Sequence, residues 1–417
     1  MNIVLKSATI LSPDDTSLHR KKRDILISKG TIEKIAAKID VPKNVRAIDY
    51  DNLHVSTGWF DSGVGFGEPG YEERETIANG LNVAAASGFT DVLLNPNTNP
   101  TPDTSSDIIF LKERAKGFAT NLHPIGNLTV GGKGQDLAEL FDMQKAGAVA
   151  FYDFKHALSN PNLLKIALLY VQNFEGLVCS FPQNEQIKSH GNVNEGPVST
   201  KLGMKGFPSL SEELQINSDL FVLEYTGGKL HIPTISSAKS VKLIVDAKKK
   251  GLDVTCSVAL HNLFFTDDVL ADFDPNFKVI PPLRSKNDQK ALLKGLKDGT
   301  IDFVTTDHTP MDIEHKRVEF DNAAYGTLGL ESAFGILNQL FSTDEAISLL
   351  TKGRERFGIS VPKLKEGEKA SITLFNPDVE KTLSEEDLRS TSKNSMFLGA
   401  PLKGSVYGVI NNGILQE

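Results

Sequence analysis

The chain has 417 residues and a formal net charge of −8, with 40% hydrophobic and 24% charged residues, a composition typical of soluble globular proteins. This acidic balance argues against nucleic acid or an anionic membrane as a partner, because both require clustered lysine and arginine. The first residues lack a signal-peptide pattern, and no apolar stretch approaches the about 20 residues of a membrane span. Cys179 and Cys256 are too few for a disulfide framework, which indicates a reducing cytoplasm.

The two ends of the chain share one pattern, in which short apolar runs alternate with turns. The N-terminal end contains NIVLKSATIL and KRDILISKGTIEKIA, and the C-terminal end contains KASITLFNPD and LKGSVYGVINNGIL. Such runs are typical of strands and hairpins. Each end alone is too short to bury a good core, so residues 1–55 and 362–417 are predicted to form one composite β-sandwich domain.

Between the ends, residues 56–361 alternate strand patterns with amphipathic helix patterns. Examples are GFTDVLLNPN followed by SSDIIFLKERAKGFA, and DQKALLKGLKDG followed by IDFVTTDHTP. Roughly eight such units are present, which predicts an α/β fold with a closed (β/α)8 barrel. An open doubly wound sheet is the alternative, weakened because no GxGxxG motif follows an early strand. In a barrel, chemistry is expected at the C-terminal ends of the strands.

The end of the first barrel strand carries an unusual segment, DSGVGFGEPG. After the acid Asp61 come three glycines at alternate positions, Gly63, Gly65 and Gly67. Alternate residues of an extended chain point to the same face. The pattern therefore predicts one face with three consecutive positions that carry no side chain.

Several longer motifs resemble those of the dihydroorotases of the amidohydrolase superfamily. They include GEPGYEERETI, AAASGFTDVLLNPNTNP, LHIPTISSAKSVKLI, VIPPLRS, LKDGTIDFVTTDHTP and NSMFLGAPLKGSV, in this order along nearly the whole chain. The resemblance implies a metal-dependent hydrolase barrel flanked by a β-sandwich, and a place in pyrimidine biosynthesis. It also implies hydrolysis of a cyclic amide, or the reverse ring closure, assisted by one or two zinc ions that activate water.

The same resemblance places the family's metal ligands on particular positions of this chain. A His-x-His pair falls on Gly63 and Gly65, and the histidines of strands five and six fall on Ser180 and Thr234. The two carboxylate positions remain, as Asp153 and Asp307. All four histidine ligands are thus replaced, which implies that no zinc is bound and that these two carboxylates hold at most a weak divalent cation.

The family's substrate contacts are also largely replaced. The arginine that would clamp a carboxylate falls on Gly67, and two further contacts fall on Ile280 and Met311, whereas Asn97 is retained. Asp307 is retained either as a proton shuttle or, as we expect, as a residue whose hydrogen bonds hold the end of the strand in shape. Lys155, close to Asp153 in sequence, is a candidate for an ion pair that fills the vacated centre.

Four other histidines are candidate substitute ligands. By strand alternation His231 and His308 should point away from the pore, whereas His156 and His261 lie where they approach the barrel mouth. Packing or loop surface is the expected role of all four. Cys179 is interpreted as a small core residue and not as a nucleophile.

Three functional hypotheses follow. The first is a catalytically inactive dihydroorotase-like protein that acts as a structural or regulatory partner, with aspartate transcarbamoylase as the partner that the resemblance suggests. The second is an active dihydroorotase or related cyclic amidohydrolase with an atypical site. The third is a small-molecule binding protein that uses the emptied pocket. A homodimer is expected by analogy with the family.

Overall fold

A computed structural model describes residues 1–13 and 17–417 of the chain. In chain order, its strands are β1 (Asn2–Ile10), β2 (Lys22–Ser28), β3 (Thr31–Ala36), β4 (Arg46–Ile48), β5 (His54–Thr57), β6 (Trp59–Val64), β7 (Phe89–Leu94), β8 (Asn121–Pro124), β9 (Val178–Cys179), β10 (Val193–Asn194), β11 (Gly206–Phe207), β12 (Leu230–Ile232), β13 (Val254–Ala259), β14 (Phe303–Thr305), β15 (Ile372–Thr382), β16 (Pro401–Asn411) and β17 (Ile414–Gln416).

The helices lie almost entirely in the middle of the chain. They are α1 (Ile77–Ala86), α2 (Ser105–Arg114), α3 (Leu140–Ala146), α4 (Pro161–Val171), α5 (Glu185–Lys188), α6 (Pro197–Leu202), α7 (Ser209–Thr226), α8 (Ala238–Lys249), α9 (Leu260–Phe264), α10 (Lys286–Lys297), α11 (Ile313–Lys316), α12 (Ala333–Leu340) and α13 (Thr343–Thr351). Of the helices in residues 1–13 and 17–417, none combines the length and the apolar character needed to cross a membrane.

Strands from both ends of the chain form one eight-stranded sheet. Its order is β17-β16-β15-β5-β1-β2-β3, and β4 pairs with β1. The N-terminal and C-terminal parts meet where β5 runs antiparallel to β15, with Thr57 opposite Ile372. Alternate residues of these strands, such as Ile3, Leu5 and Ile25, pack together in one buried cluster.

The middle of the chain is a (β/α)8 barrel. The strands β6, β7 and β8 pair in parallel, as do β9, β12, β13 and β14. Between these groups the segment AVAFYDF takes the fourth position through bridges from Phe151 to Gly126 and to Val178. The barrel closes between β14 and β6, where the Thr305 hydroxyl donates to Oδ1 of Asp61 at 2.7 Å.

The helices pack outside this barrel with their apolar faces inward. In α8 the inward residues Val241, Ile244 and Ala247 are buried, and the Ser237 side chain caps the helix by accepting a hydrogen bond from the Ser240 amide. Side chains from the strands fill the barrel interior with an aromatic-rich cluster that includes Phe60 and Phe303. The interior is therefore a packed core below the mouth, as is usual for this fold.

A buried arginine fixes the N-terminal side of the barrel. The Arg354 side chain is fully buried, and its Nη2 lies 2.9 Å from Oδ2 of Asp91 on β7. The same nitrogen donates to the carbonyl oxygens of Gly58 and Trp59, at the start of β6. The His123 ring lies 2.9 Å from the other Asp91 oxygen, so the first three strands are joined by one polar network.

Candidate functional site at the barrel mouth

The three alternate glycines do not share one extended face. Strand β6 ends at Val64, and Gly67 adopts a φ of +111°, in the region that disfavours side chains. A Cβ built on Gly67 would lie 2.5 Å from the Tyr71 carbonyl oxygen. The prediction of a continuous empty face was therefore wrong at Gly67, because the strand had already ended and the backbone had turned.

Neighbouring polar side chains occupy the space beside the first two glycines. A Cβ on Gly63 would lie 3.2 Å from Nδ2 of Asn95, and a Cβ on Gly65 would lie 2.3 Å from Nδ2 of Asn97. Asn97, the retained substrate contact of the resemblance, thus packs against the backbone of Gly65. Its Oδ1 is buried and has no hydrogen-bond partner in the described part of the chain.

Asp61, which precedes the glycines, ties the first strand to the last. Its carboxylate accepts hydrogen bonds from the Gly63 amide at 3.1 Å, from the Thr305 hydroxyl, and from the amide and hydroxyl of Thr306. Burial raises the pKa of Asp61 to about 6, although these hydrogen bonds oppose the rise. The residue closes the barrel beneath the mouth.

Asp153 is buried and holds the loop after β8. Its Oδ1 accepts from the amides of Leu128 and Thr129, both at 3.0 Å, and its Oδ2 accepts from the Thr129 hydroxyl. Burial raises the pKa of this carboxyl group, while the Thr129 and Leu128 hydrogen bonds lower it. Both oxygens of Asp153 therefore accept hydrogen bonds from the loop after β8.

The surviving carboxylate of the last strand is paired with a lysine. Nζ of Lys155 lies 2.8 Å from Oδ2 of Asp307, and both side chains are largely buried. Burial raises the pKa of Asp307, and the Lys155 charge counteracts it. The ion pair that the sequence suggested for Lys155 therefore exists, but its partner is Asp307 and not the nearby Asp153.

The positions of the other two missing histidines are embedded in the protein. The Ser180 hydroxyl donates to Oδ2 of Asp219 at 2.7 Å, and Gln215 donates to the other oxygen. Burial raises the pKa of Asp219 to about 7. Thr234 is 5% exposed. The sequence did not single out Asp219, because its position in the middle of α7 gives no signal that it reaches Ser180.

Ile280 and Met311, two of the three positions of lost substrate contacts, lie in different surroundings. Ile280 is buried in the aromatic-rich cluster of the barrel interior. Met311 follows β14, where its amide donates to Oδ1 of Asn394, and it lines a cavity of about 880 Å³. The lining of that cavity contains none of Asn97, Asp153 and Asp307.

The histidines do not replace the missing ligands. His231 stacks on Phe303 at 5.1 Å inside the barrel, so the alternation counted back from Thr234 was wrong, because β12 ends at Ile232. His308 accepts from the Gly329 amide, and its ring packs edge-on to Phe66. Burial lowers the pKa of both histidines to about 3.

Two further histidines were expected near the mouth. His156 is exposed. His261 is fully buried, and both of its ring nitrogens are without a partner among residues 1–13 and 17–417. Burial, helped by the Lys155 charge, lowers its pKa to about 3, so His261 is a neutral ring within electrostatic range of Lys155.

The residues at the mouth do not form a zinc-binding set. Catalytic zinc takes about three protein ligands, mostly imidazole, thiolate or carboxylate. Here the two carboxylates are held by amides, a hydroxyl and an ammonium group, and glycine or hydroxyl side chains stand at the histidine positions. Within the described residues, no three His, Cys, Asp or Glu side chains converge in a way that could hold a metal ion.

Comparison with known proteins identifies the family. A family model described as "Dihydro-orotase-like" matches residues 55–240. The dihydroorotase of Carboxydothermus hydrogenoformans is 37% identical over 424 residues, covering 100% of this chain and 98% of that protein. The dihydroorotase of Caldicellulosiruptor saccharolyticus is 38% identical over 422 residues, covering 99% and 97%. The chain belongs to the dihydroorotase-like family.

Solved structures agree with the fold of this dihydroorotase-like chain. The L-hydantoinase of Arthrobacter aurescens superposes with a TM-score of 0.85 at 23% identity, covering 99% of this chain and 95% of that one. The dihydropyrimidinase of Brevibacillus agri gives a TM-score of 0.81 at 21% identity, covering 100% and 95%. The prediction of a (β/α)8 barrel with a β-sandwich domain is confirmed.

Proposed function

We propose that this dihydroorotase-like protein is catalytically inactive and binds no metal at the barrel mouth. The observation that carries the proposal is the contact between Lys155 and Asp307, whose nitrogen and oxygen atoms lie 2.8 Å apart. The ammonium group of Lys155 forms an ion pair with the Asp307 carboxylate, which would otherwise be a metal ligand. A divalent cation would have to displace this charge and bind without any imidazole at the four histidine positions.

Without the metal, the protein lacks the activated water that would attack the substrate, and not only an ion that stabilises the fold. In metal-assisted hydrolysis the ion lowers the pKa of a bound water and polarises the substrate carbonyl. The mouth offers Asp307, which is neutralised by Lys155, and the neutral ring of His261. Asp307 already accepts a hydrogen bond from Lys155, and the His261 ring has no hydrogen-bond partner among the described residues to orient it toward a water, which supports the absence of turnover.

Elemental analysis combined with an activity assay tests this proposal. The purified protein is expected to contain far less than one zinc ion per chain, and to show neither cyclisation of ureidosuccinate nor opening of dihydroorotate above background. The Carboxydothermus hydrogenoformans dihydroorotase, purified in parallel, is the positive control. Stoichiometric metal together with turnover would instead establish an active amidohydrolase with an atypical site.

The proposed role of an inactive barrel is that of a structural or regulatory subunit. The family resemblance suggests aspartate transcarbamoylase as its partner in pyrimidine biosynthesis. We expect the two proteins of the same organism to co-elute when mixed at micromolar concentration and passed over a sizing column. Elution of each protein at its own volume, at every mixing ratio, would rule out this partner.

A second function is favoured by the unpaired polar groups near the mouth. Oδ1 of Asn97 and both ring nitrogens of His261 are buried without partners in the described parts of the chain, and such groups cost stability unless something binds to them. A small polar molecule could provide the missing hydrogen bonds. Melting temperatures measured across a panel of pyrimidine intermediates test this, because a ligand that binds the folded state raises them. Asn97→Ala is the control that should abolish the shift.

A further inference from the structure

A second recess, of about 480 Å³, lies between the segments that follow β9 and β14. Its lining contains none of Asn97, Asp153 and Asp307, so it is separate from the polar groups at the mouth. The residues of its wall that can contact a ligand through charge, hydrogen bonds or an aromatic ring include Lys188, His190, Asn192, Lys205, Asp321 and Tyr325. We call this recess the lysine pocket.

Positive charge exceeds negative charge in the lysine pocket, although the whole chain carries a net charge of −8. Among the described residues that line it, the one carboxylate is Asp321, whose Oδ1 already accepts a hydrogen bond from Nδ2 of Asn192 at 3.1 Å. Lys205 is exposed and forms no ion pair in the described part of the chain. Lys188 lies 4.0 Å from the half-exposed Glu185, at the limit of an ion pair.

A third lysine is buried behind the wall of the pocket. Lys278 is 3% exposed, and its Nζ donates to the Asp321 carbonyl oxygen at 2.8 Å. An ammonium group has three donors, and residues 1–13 and 17–417 provide this one acceptor and no carboxylate within ion-pair distance. A buried charge without a counterion is costly, so Lys278 favours an anion on the other side of this wall.

Tyr325 connects the buried lysine with the pocket. Its ring centroid lies 5.0 Å from Nζ of Lys278 and 5.6 Å from Nζ of Lys188, and its hydroxyl donates to Oδ1 of Asn192 at 2.9 Å. Burial lowers the pKa of Lys278; the Asp321 charge opposes this, and the Lys188 charge adds to it. An anion within reach of both lysines would offset their repulsion.

We propose that the lysine pocket binds the phosphate group of a small molecule. Lys188 and Lys205 would contact the phosphate oxygens, and Lys278 would contribute the buried charge behind them. A phosphate monoester carries a charge of about −1.5 to −2 at neutral pH and offers three acceptor oxygens, whereas a carboxylate carries a single charge. Lysine binds phosphate as a point charge. The proposal does not depend on whether the mouth binds metal or a ligand.

Calorimetric titration of the full chain with inorganic phosphate, and separately with acetate at the same ionic strength, tests the proposal. Phosphate should bind saturably at one site per chain and more tightly than acetate. Lys188→Met/Lys205→Met should raise the phosphate dissociation constant on the order of 10-fold or more, because it removes charge-assisted hydrogen bonds. Lys363→Met/Lys365→Met removes two exposed lysines outside the pocket and should change the constant less than about twofold, since only long-range charge is altered.

Circular dichroism and thermal unfolding establish that the variants are folded, which is expected because methionine retains most of the apolar stem of lysine. Lys205→Met alone changes an exposed side chain and should also weaken phosphate binding. Asn97→Ala should leave phosphate binding unchanged, which separates this pocket from a ligand at the mouth. The proposal is overturned if phosphate shows no saturable binding, if acetate binds as tightly, or if both double variants weaken binding equally. Loss of phosphate binding in Asn97→Ala would also overturn it, because the anion would then lie at the mouth.

Discussion

Nζ of Lys155 and Oδ2 of Asp307 lie 2.8 Å apart although 152 positions separate the two residues in sequence. Lys155 follows the fourth strand position of the barrel and Asp307 follows the eighth, and in an eight-stranded barrel these positions face each other. The ion pair therefore spans the mouth. It places a positive charge where the family resemblance expects a cation, and so compensates a carboxylate that would otherwise be buried alone.

The first prediction is that Lys155→Met is strongly destabilising at neutral pH. Removal of one partner of a buried pair leaves an uncompensated charge, for which the expected loss is about 3 kcal/mol of unfolding free energy. Without Lys155 the already raised pKa of Asp307 should rise further. In the folded variant Asp307 then takes up a proton as the pH falls, which removes the buried charge. Urea denaturation should therefore show a smaller loss of unfolding free energy, relative to the wild type, at pH 5 than at pH 7.

The double variant Lys155→Met/Asp307→Asn separates the loss of the ion pair from the cost of leaving the Asp307 carboxylate buried without a partner. It removes the buried charge together with its partner, and it should be more stable than Lys155→Met alone. Lys250→Met is the matched control, because Lys250 and Glu224 form an exposed pair and such pairs contribute about 0.5 kcal/mol or less. Equal stability of the single and double variants would contradict a stabilising pair at the mouth.

The second prediction concerns the three glycines, which should differ in their tolerance of a methyl group. Gly67→Ala should cost about 2 kcal/mol, because its φ is +111° and the added Cβ would meet a backbone carbonyl. Gly65→Ala should cost less, because its contact is the movable end of Asn97, and Gly63→Ala least, because its nearest neighbour lies 3.2 Å away. Chemical denaturation of the three variants gives the order, and a Gly63→Ala protein less stable than Gly67→Ala would refute it.

The sequence predicted the architecture because the relevant signals are local. Amphipathic runs such as that of α8, and strand patterns such as that of β14, each specify an element and its buried face. The site was harder, because its contacts join distant parts of the chain. Nothing near Ser180 in sequence indicates that its hydroxyl bonds to Asp219. The alternation counted from Thr234 back to His231 fails because β12 ends at Ile232, before Thr234.

The third prediction is a pH dependence that belongs to Asp61. Its pKa is about 6 in the folded protein, above the about 3.9 of an aspartate in an unfolded chain. The folded state therefore binds the proton more tightly, so unfolding free energy falls as the pH rises from about 4 to about 6 and is level above that range. The full change in unfolding free energy is about 3 kcal/mol, because each unit of pKa difference between the folded and unfolded states corresponds to about 1.36 kcal/mol.

Asp61→Asn removes the titrating group and should therefore lack this decline. Urea denaturation of both proteins between pH 4.5 and pH 7 gives the difference in unfolding free energy at each pH. As the pH rises, the unfolding free energy of Asp61→Asn should increase relative to that of the wild type. A destabilisation by the asparagine that does not depend on pH leaves this trend unchanged. Parallel curves for the two proteins would show that Asp61 is not protonated in the folded state near pH 5.

The last prediction concerns the opposite end of the barrel, where Arg354 holds the first strands together. Its guanidinium is fully buried, contacts Asp91 and donates to the Gly58 and Trp59 carbonyls. Arg354→Met therefore removes the positive charge paired with Asp91 and one donor to each of the two carbonyl groups. A loss of about 3 kcal/mol or more is expected. Arg20→Met removes an exposed contact to Asp344 and should change stability by about 0.5 kcal/mol or less. Because Arg354 lies at the end of the barrel opposite the mouth, its replacement should lower stability without changing the metal content. A gain of bound zinc in Arg354→Met would contradict the independence of the two ends of the barrel.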